Sequence, residues 1–348
     1  MPGRPGAETP SARRGGALID SRPMASETLP PLTAGDAALP LRLTRLARLH
    51  RSGRGIEDVT LEARAGEIVG LLGARGSGRT TLLRLIAGEL QPRAGRIELW
   101  GASEARARRA ARPRIGFQRR RDAHFEALSG FANAYHFGNL HGYPRERLAI
   151  RIDALFDELE LRALRDLPVA RWDPDARRRL SLAEALVHEP ALLLLDEPLA
   201  GMSYSSEVAA RHVIARTAGR GAAVVMATRS AELAGSVCGR IAFLSRGRIF
   251  AQGIKSELLE GLSGRAQVAC ELEAPVDPAS LRALAGVESV AASGHRLTVI
   301  SRRADHALDA IVAELDRLGA RLLHLDVKEA DLGDAYSLST GVRLEEQS

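Results

Sequence analysis

Lysine is nearly missing from this chain: in 348 residues it occurs only at Lys255 and Lys328, so arginine supplies almost all of the 49 basic side chains. The arginine run between Arg106 and Arg121 is therefore the ordinary cation of this protein in a dense patch, and 43 acidic residues are spread through the same sequence. With a formal net charge of +6, this reads as a solvated basic face, suited to an acidic membrane surface, rather than as a specific nucleic-acid site. No zinc-finger, aromatic RNA-binding or basic-zipper pattern accompanies it. Cysteine is just as scarce. Cys238 and Cys270 are far apart and lack metal-ligand spacing, so both read as ordinary reduced thiols rather than as a disulfide or a zinc site. Long apolar runs are also missing. No stretch approaches the roughly 18 consecutive apolar residues of a membrane span, and no apolar core follows the early arginines as a secretory signal requires. The chain is expected in the cytosol. Aromatics make up only 4% of the residues, yet five of them (Phe125, Phe131, Tyr135, Phe137 and Tyr143) fall close together.

What is present is 45% apolar and 26% charged, the composition of a globular protein long enough for two domains. Residues 1–40 depart from it: Pro, Ala, Gly, Ser and Arg without apolar periodicity read as a disordered leader, with Met24 as an alternative start. The chain is organised around Ile68 to Gly88, IVGLLGARGSGRTTLLRLIAG. Ile68 to Leu72 is a continuous apolar run, which predicts a strand buried on both faces, and glycines then break it before a periodic helix begins. The spacing Gly73, Gly78, Arg79, Thr80 fits a phosphate-binding loop except that arginine replaces its lysine. Such a loop binds anions because glycines open backbone angles that turn successive N–H groups inward, and the next helix adds the positive end of its dipole. Gly73, Gly76, Ser77, Gly78, Arg79, Thr80 and Thr81 are the nucleotide-binding candidates, with Thr80 offering its hydroxyl to magnesium. His50 sits where a flat side chain could stack on adenine, although a lone histidine is more often plain surface or core.

The second motif is Ala191 to Pro198, ALLLLDEP, preceded by a helical stretch Arg177 to His188. Four leucines predict another strand buried on both faces, and the carboxylates at its end emerge where open parallel sheets bind ligands. Asp196 suits magnesium, and Glu197 suits a general base for the water that attacks a terminal phosphate. Short apolar strands at Ala222 to Thr228, Ile241 to Leu244 and Arg248 to Ala251 complete a mostly parallel sheet covered by helices. Phe125 to Tyr143, followed by helical Arg147 to Leu164, reads as a helical insertion. Its aromatics form either a small core or, where exposed, a groove for a partner's helix. From about Arg265 to Thr340 the pattern changes to Gln267–Glu273 strand, Pro278–Ala285 helix, a strand pair across Ser293-Gly294, Ala304–Leu318 helix and Arg321–Val327 strand. That is the split βαββαβ order of a ferredoxin-like unit.

Over Leu41 to Leu262 the chain resembles the ATP-binding cassette (ABC) family, on the order and content of GLLGARGSGRTTLLRLIAGEL, LSLAEALVHEPALLLLDEPLAG and CGRIAFLSRGRIFAQG. The resemblance implies an α/β P-loop NTPase cassette at 41–262 with a helical subdomain that touches membrane-embedded subunits. It also implies ATP and Mg2+ as cofactors, and ATP sandwiched between one subunit's phosphate loop and the other's signature. The unit at 265–340, closing in ADLGDAYSLSTG, resembles the α+β C-terminal domain of bacterial drug, polysaccharide and lipid exporter cassettes. Several family positions are altered. Arg79 replaces the loop lysine, and its planar guanidinium does not have an ammonium's geometry. Arg120 stands at the glutamine-loop position, with Gln118 two residues early. The signature falls on Trp172 to Ala176, the acid after Gly201 is Ser203, and the switch histidine is Arg229.

Three functions remain open: an exporter ATPase, an exporter cassette with weak or absent ATPase activity that pairs with an intact cassette, and a soluble cassette acting on ribosome or nucleic acid. The altered motifs favour the second. It carries an integral membrane permease and a second cassette as expected partners, no specific nucleic acid, and a peripheral position at the inner face of the cell membrane.

Overall fold

The computed structural model describes residues 39–51, 53–103, 105–260, 266–301 and 304–344. Most of the expected leader, the alternative start at Met24 and the junction between the two expected domains lie outside these residues.

A six-stranded sheet forms the centre. It is built from β3 (Ile68–Leu72), β5 (Ile115–Gln118), β6 (Leu192–Asp196), β7 (Ala223–Thr228), β8 (Arg240–Ser245) and β9 (Arg248–Gly253), in the order β5-β6-β7-β3-β8-β9. All neighbours pair in parallel except β8 and β9. The continuous apolar runs are explained by burial on both faces. Leu193, Leu195, Val224 and Met226 point into one core, while Leu192, Leu194, Val225 and Ala227 point into the other. Beside it, β1 (Leu41–Leu49), β2 (Gly55–Ala63) and β4 (Ala94–Leu99) form an antiparallel sheet ordered β2-β1-β4, whose apolar residues face α1 (Arg79–Ile86).

A short α2 (Ala105–Ala110) precedes β5, and α3 (Gly130–Leu140), α4 (Arg145–Glu158) and α5 (Pro174–Leu186) make the helical lobe. The expected aromatic core is partly realised: Phe131, Tyr135, Phe137 and Tyr143 pack against buried Leu148, Ile152 and Phe156, but Phe125 is half exposed. Three further helices, α6 (Tyr204–Gly219), α7 (Ala231–Val237) and α8 (Lys255–Leu259), follow β6, β7 and β9.

The C-terminal unit runs β10 (Ala266–Leu272), α9 (Ala279–Arg282), β11 (Val287–Ser293), β12 (Arg296–Ser301), α10 (Ala304–Arg317) and β13 (Leu322–Glu329). Its antiparallel order β11-β12-β10-β13 is that of a ferredoxin-like sheet. One face is closed by Ile311 and Leu315 over Val268, Cys270, Leu297 and Val299. The final helix, α11 (Leu332–Thr340), does not cover this sheet. Its Leu332, Ala335 and Tyr336 pack with Leu72, Ala74, Ala234, Ile241 and Phe243, against the end of β3 and the base of the phosphate loop.

Candidate nucleotide site

The sheet order brings the expected groups to one carboxyl edge, because Leu72 at the end of β3 lies beside Thr228 on β7, and Asp196 on β6 beside Ala227. The loop leaves β3 at Gly73 and enters α1 through Gly78, whose φ of 109° belongs to the region that glycine tolerates. A Cβ at Gly78 would lie 2.6 Å from the carbonyl oxygen of Gly55, so the close approach of β2 also requires glycine there. Ser77 is buried, and its hydroxyl has no hydrogen-bond partner. His50 reaches the site: its Nε2 stands 3.3 Å from the Thr81 hydroxyl.

Thr80 donates its hydroxyl to Asp196 at 2.8 Å. Burial raises the Asp196 pKa, while the Thr80 hydrogen bond and the nearby Arg79 charge act to lower it. Two hard oxygen donors at this distance fit magnesium, which is normally held by one or two carboxylates together with substrate phosphates. Among the described residues no cluster of three or more His, Cys, Asp or Glu exists to hold a metal without them.

Arg79 does not extend along the loop as a phosphate ligand. Its Nη1 donates to Glu197 Oε1 at 2.7 Å, and the two side chains are only 6% and 9% exposed. Burial pulls the Arg79 pKa down and the Glu197 charge pushes back, leaving a buried, charge-assisted pair. Glu197 is held from a second side as well: the Arg229 backbone N–H donates to it at 3.3 Å and the Arg229 Nε lies 3.5 Å away. The acid expected to act as a base therefore faces two arginines, on a backbone with φ of 51°.

The signature position is occupied differently from an anion site. Asp173 is the N-cap of α5, and its carboxylate accepts from the Ala176 N–H at 2.7 Å, filling the helix N-terminus with the protein's own negative charge. Pro174 contributes no N–H. Asp175 accepts from the Ser206 hydroxyl at 2.7 Å, and Trp172 is buried against Gly130. Ser203 caps α6. Gln118 is 1% exposed and donates from Nε2 to the Arg178 and Pro198 carbonyls, while its Oε1 is buried without a hydrogen-bond partner, and Arg120 is exposed.

Two features had no signal in the sequence pattern. The first is Arg178, buried in α5, which donates to the carbonyls of Arg119, Asp196, Glu197 and Pro198 and lies 3.3 Å from Asp122. It fastens the end of β6 to the segment after β5. The second is a histidine-lined groove of about 500 Å³ between the helical lobe and β5, with Arg112, Arg119, Phe137, His141, Glu184 and His188 on its walls. His141 and His188 stack at 3.9 Å. Burial holds the His188 pKa at about 3. Beside them, His124 is bonded to Glu184 at 3.0 Å. Burial opposes its charge, but the Glu184 hydrogen bond and the Glu184 and Asp122 carboxylates outweigh that and raise its pKa.

The family model described as ABC transporter matches residues 56–200, which contain both the loop and the acidic strand end. The Nod factor export ATP-binding protein I of Paraburkholderia xenovorans is 31% identical over 299 residues, covering 84% of this chain and 93% of that protein. This chain belongs to the ATP-binding subunits of ABC transporters. The daunorubicin resistance ATP-binding protein DrrA3 of Streptomyces coeruleorubidus is 34% identical over 205 residues, covering 59% of this chain, and the chain spans 65% of that protein's length. Among solved structures, one described as an ATP binding subunit of an ABC transporter superposes with a TM-score of 0.60, at 22% identity over 64% of this chain and 93% of that one, which supports the cassette fold. No helix among the described residues is long and apolar enough to cross a membrane.

Proposed function

We propose that this chain is the ATP-binding subunit of an ABC-type exporter, with little or no ATPase activity of its own. The observation that carries the proposal is the buried pair of Arg79 and Glu197, which engages the loop's cation and the candidate base with each other. The backbone of the Gly73–Thr81 loop, the Thr80 hydroxyl and Asp196 would hold ATP and Mg2+, and His50 would face the adenine. The bound ion would supply charge neutralisation at the phosphates. Glu197 would be poorly placed to take a proton from water while Arg79 and Arg229 hold it. In this reading an integral membrane permease docks at the groove under the helical lobe, a second, intact cassette completes the site, and the chain lies at the inner face of the cell membrane. Its parts are a leader at 1–40, a nucleotide-binding domain at 41–262 and a C-terminal domain at 265–340.

A second reading, a working ATPase, draws on Asp196 and Glu197 both standing at the end of β6. Calorimetry and phosphate-release assays on the purified chain separate the two. The proposal expects weak Mg-ATP binding, and phosphate release no faster in the parent than in Glu197→Gln. Arg79→Lys should tighten ATP by about tenfold, equivalent to roughly 1.4 kcal/mol. Hydrolysis that Glu197→Gln abolishes would establish the second reading. Absence of binding at millimolar ATP would refute both.

A further inference from the structure

The last described helix reaches the phosphate loop. Tyr336 on α11 is fully buried, and its hydroxyl accepts from the Ala74 N–H at 3.1 Å and donates to the Leu244 carbonyl at 3.1 Å. The position of this bridge explains its importance. β3 and β8 pair in parallel as far as Leu72 and Phe243; the chain must then leave the ladder to form the loop. Ala74 N–H and Leu244 C=O lie just beyond that point, in a dry cluster with Leu72, Ile241 and Phe243, and a phenol oxygen takes the place of the missing rung. The ring is held edge-on to Phe243, with centroids 5.6 Å apart. The helix that carries it is fixed at its start by Asp331, which accepts from the Gly333 and Asp334 N–H groups and pairs with Lys328 on β13.

We propose that Tyr336 is a positioning residue for the phosphate loop, through which the C-terminal unit sets how well the loop is formed for nucleotide. The inference rests on the nucleotide reading above for its effect on affinity but not for its effect on the loop itself. Tyr336→Phe keeps the ring and removes both hydrogen bonds, leaving two buried backbone groups unpaired. Thr340→Ala is the control. It removes the bond from the Thr340 hydroxyl to the Tyr336 carbonyl within α11, and that hydroxyl's bonds with the Val342 backbone, without touching the loop.

The full-length chain is compared in two measurements. In hydrogen exchange without nucleotide, the segment 73–78 should exchange at least about tenfold faster in Tyr336→Phe and at the parent rate in Thr340→Ala. In calorimetry, Tyr336→Phe should weaken Mg-ATP and Mg-ADP by the same factor, about tenfold, because the base of the loop serves phosphates common to both. Unchanged exchange in Tyr336→Phe, equal acceleration by Thr340→Ala, or faster exchange with parental affinity would each overturn the inference. If the parent binds no nucleotide, the proposed function fails, and the exchange measurement still decides whether Tyr336 holds the loop.

Discussion

At the level of single residues, substitutions that keep charge have changed geometry. The loop residues, Asp196 and Glu197 were legible in the sequence as candidates, but the pairing of Arg79 with Glu197 was not, because they are 118 residues apart and meet only through the sheet order. His188 was read merely as the end of a helix, yet it is buried with a pKa of about 3 and donates from Nε2 to the Ile115 carbonyl at 3.2 Å. An unfolded histidine titrates near 6.5, so below that pH the unfolded chain binds the extra proton and stability falls as pH drops toward 3. The loss by pH 5 is about 2 kcal/mol. His141, stacked on it, is depressed in the same direction by burial. His124 acts in the opposite sense: its pKa is raised, so its contribution is complete below the unfolded value and is lost as pH rises through the folded one. His188→Gln, which can keep a donor toward Ile115, should shrink the fall in melting temperature between pH 7.5 and pH 5. Thermal scans showing an undiminished fall would mean that other groups cause the acid sensitivity.

At the level of elements, bounds were legible where burial is uniform and unclear where a cap decides. β3 has the bounds expected from its apolar run, Ile68–Leu72. α5 begins at Pro174 rather than near Arg177, because Asp173 caps it and proline fits a first turn. α9 is only Ala279–Arg282, half the expected length, ending before the turn at Gly286 with φ of 87°. α5 also carries Arg178, whose role cannot be seen in a run of three arginines. Arg178→Met would leave the carbonyls at the end of β6 without their donor and should cost about 3–5 kcal/mol, read as a lower urea midpoint at unchanged m. Arg178→Lys should recover little of it, since a single ammonium cannot span carbonyls on two segments. Full recovery by lysine would show that charge alone suffices there.

For the whole molecule, the cassette was legible through the resemblance carried by its loop and acidic-strand motifs, and the ferredoxin-like order through strand and helix periodicity; the docking of α11 onto the cassette was not, because ADLGDAYSLSTG has no periodicity that names its partner. The proposed pairing with a second cassette makes a prediction at the start of α5. In an ATP-sandwiched pair it would meet a phosphate with Asp173 and Asp175. A carboxylate about 5 Å from one phosphate charge is opposed by roughly 3 kcal/mol at an effective dielectric near 20, less whatever solvent screens, and a homodimer has two such sites. Glu197→Gln should therefore remain monomeric on size exclusion with or without ATP. The combined Asp173→Ser, Pro174→Gly and Asp175→Gly variant should dimerise, at some cost in stability because Ser206 and Arg179 lose the Asp175 carboxylate. An ATP-dependent dimer of the single variant would refute this. The contact between Tyr336 and Ala74 also has a meaning in time. The two residues are 262 positions apart, so at about 5–20 residues per second a ribosome needs roughly 15–50 s after making the loop before it makes the side chain that secures it. If Tyr336 positions the loop as proposed, the candidate nucleotide site is among the last parts of the protein to mature, and a polypeptide released early would carry the loop without its fastening.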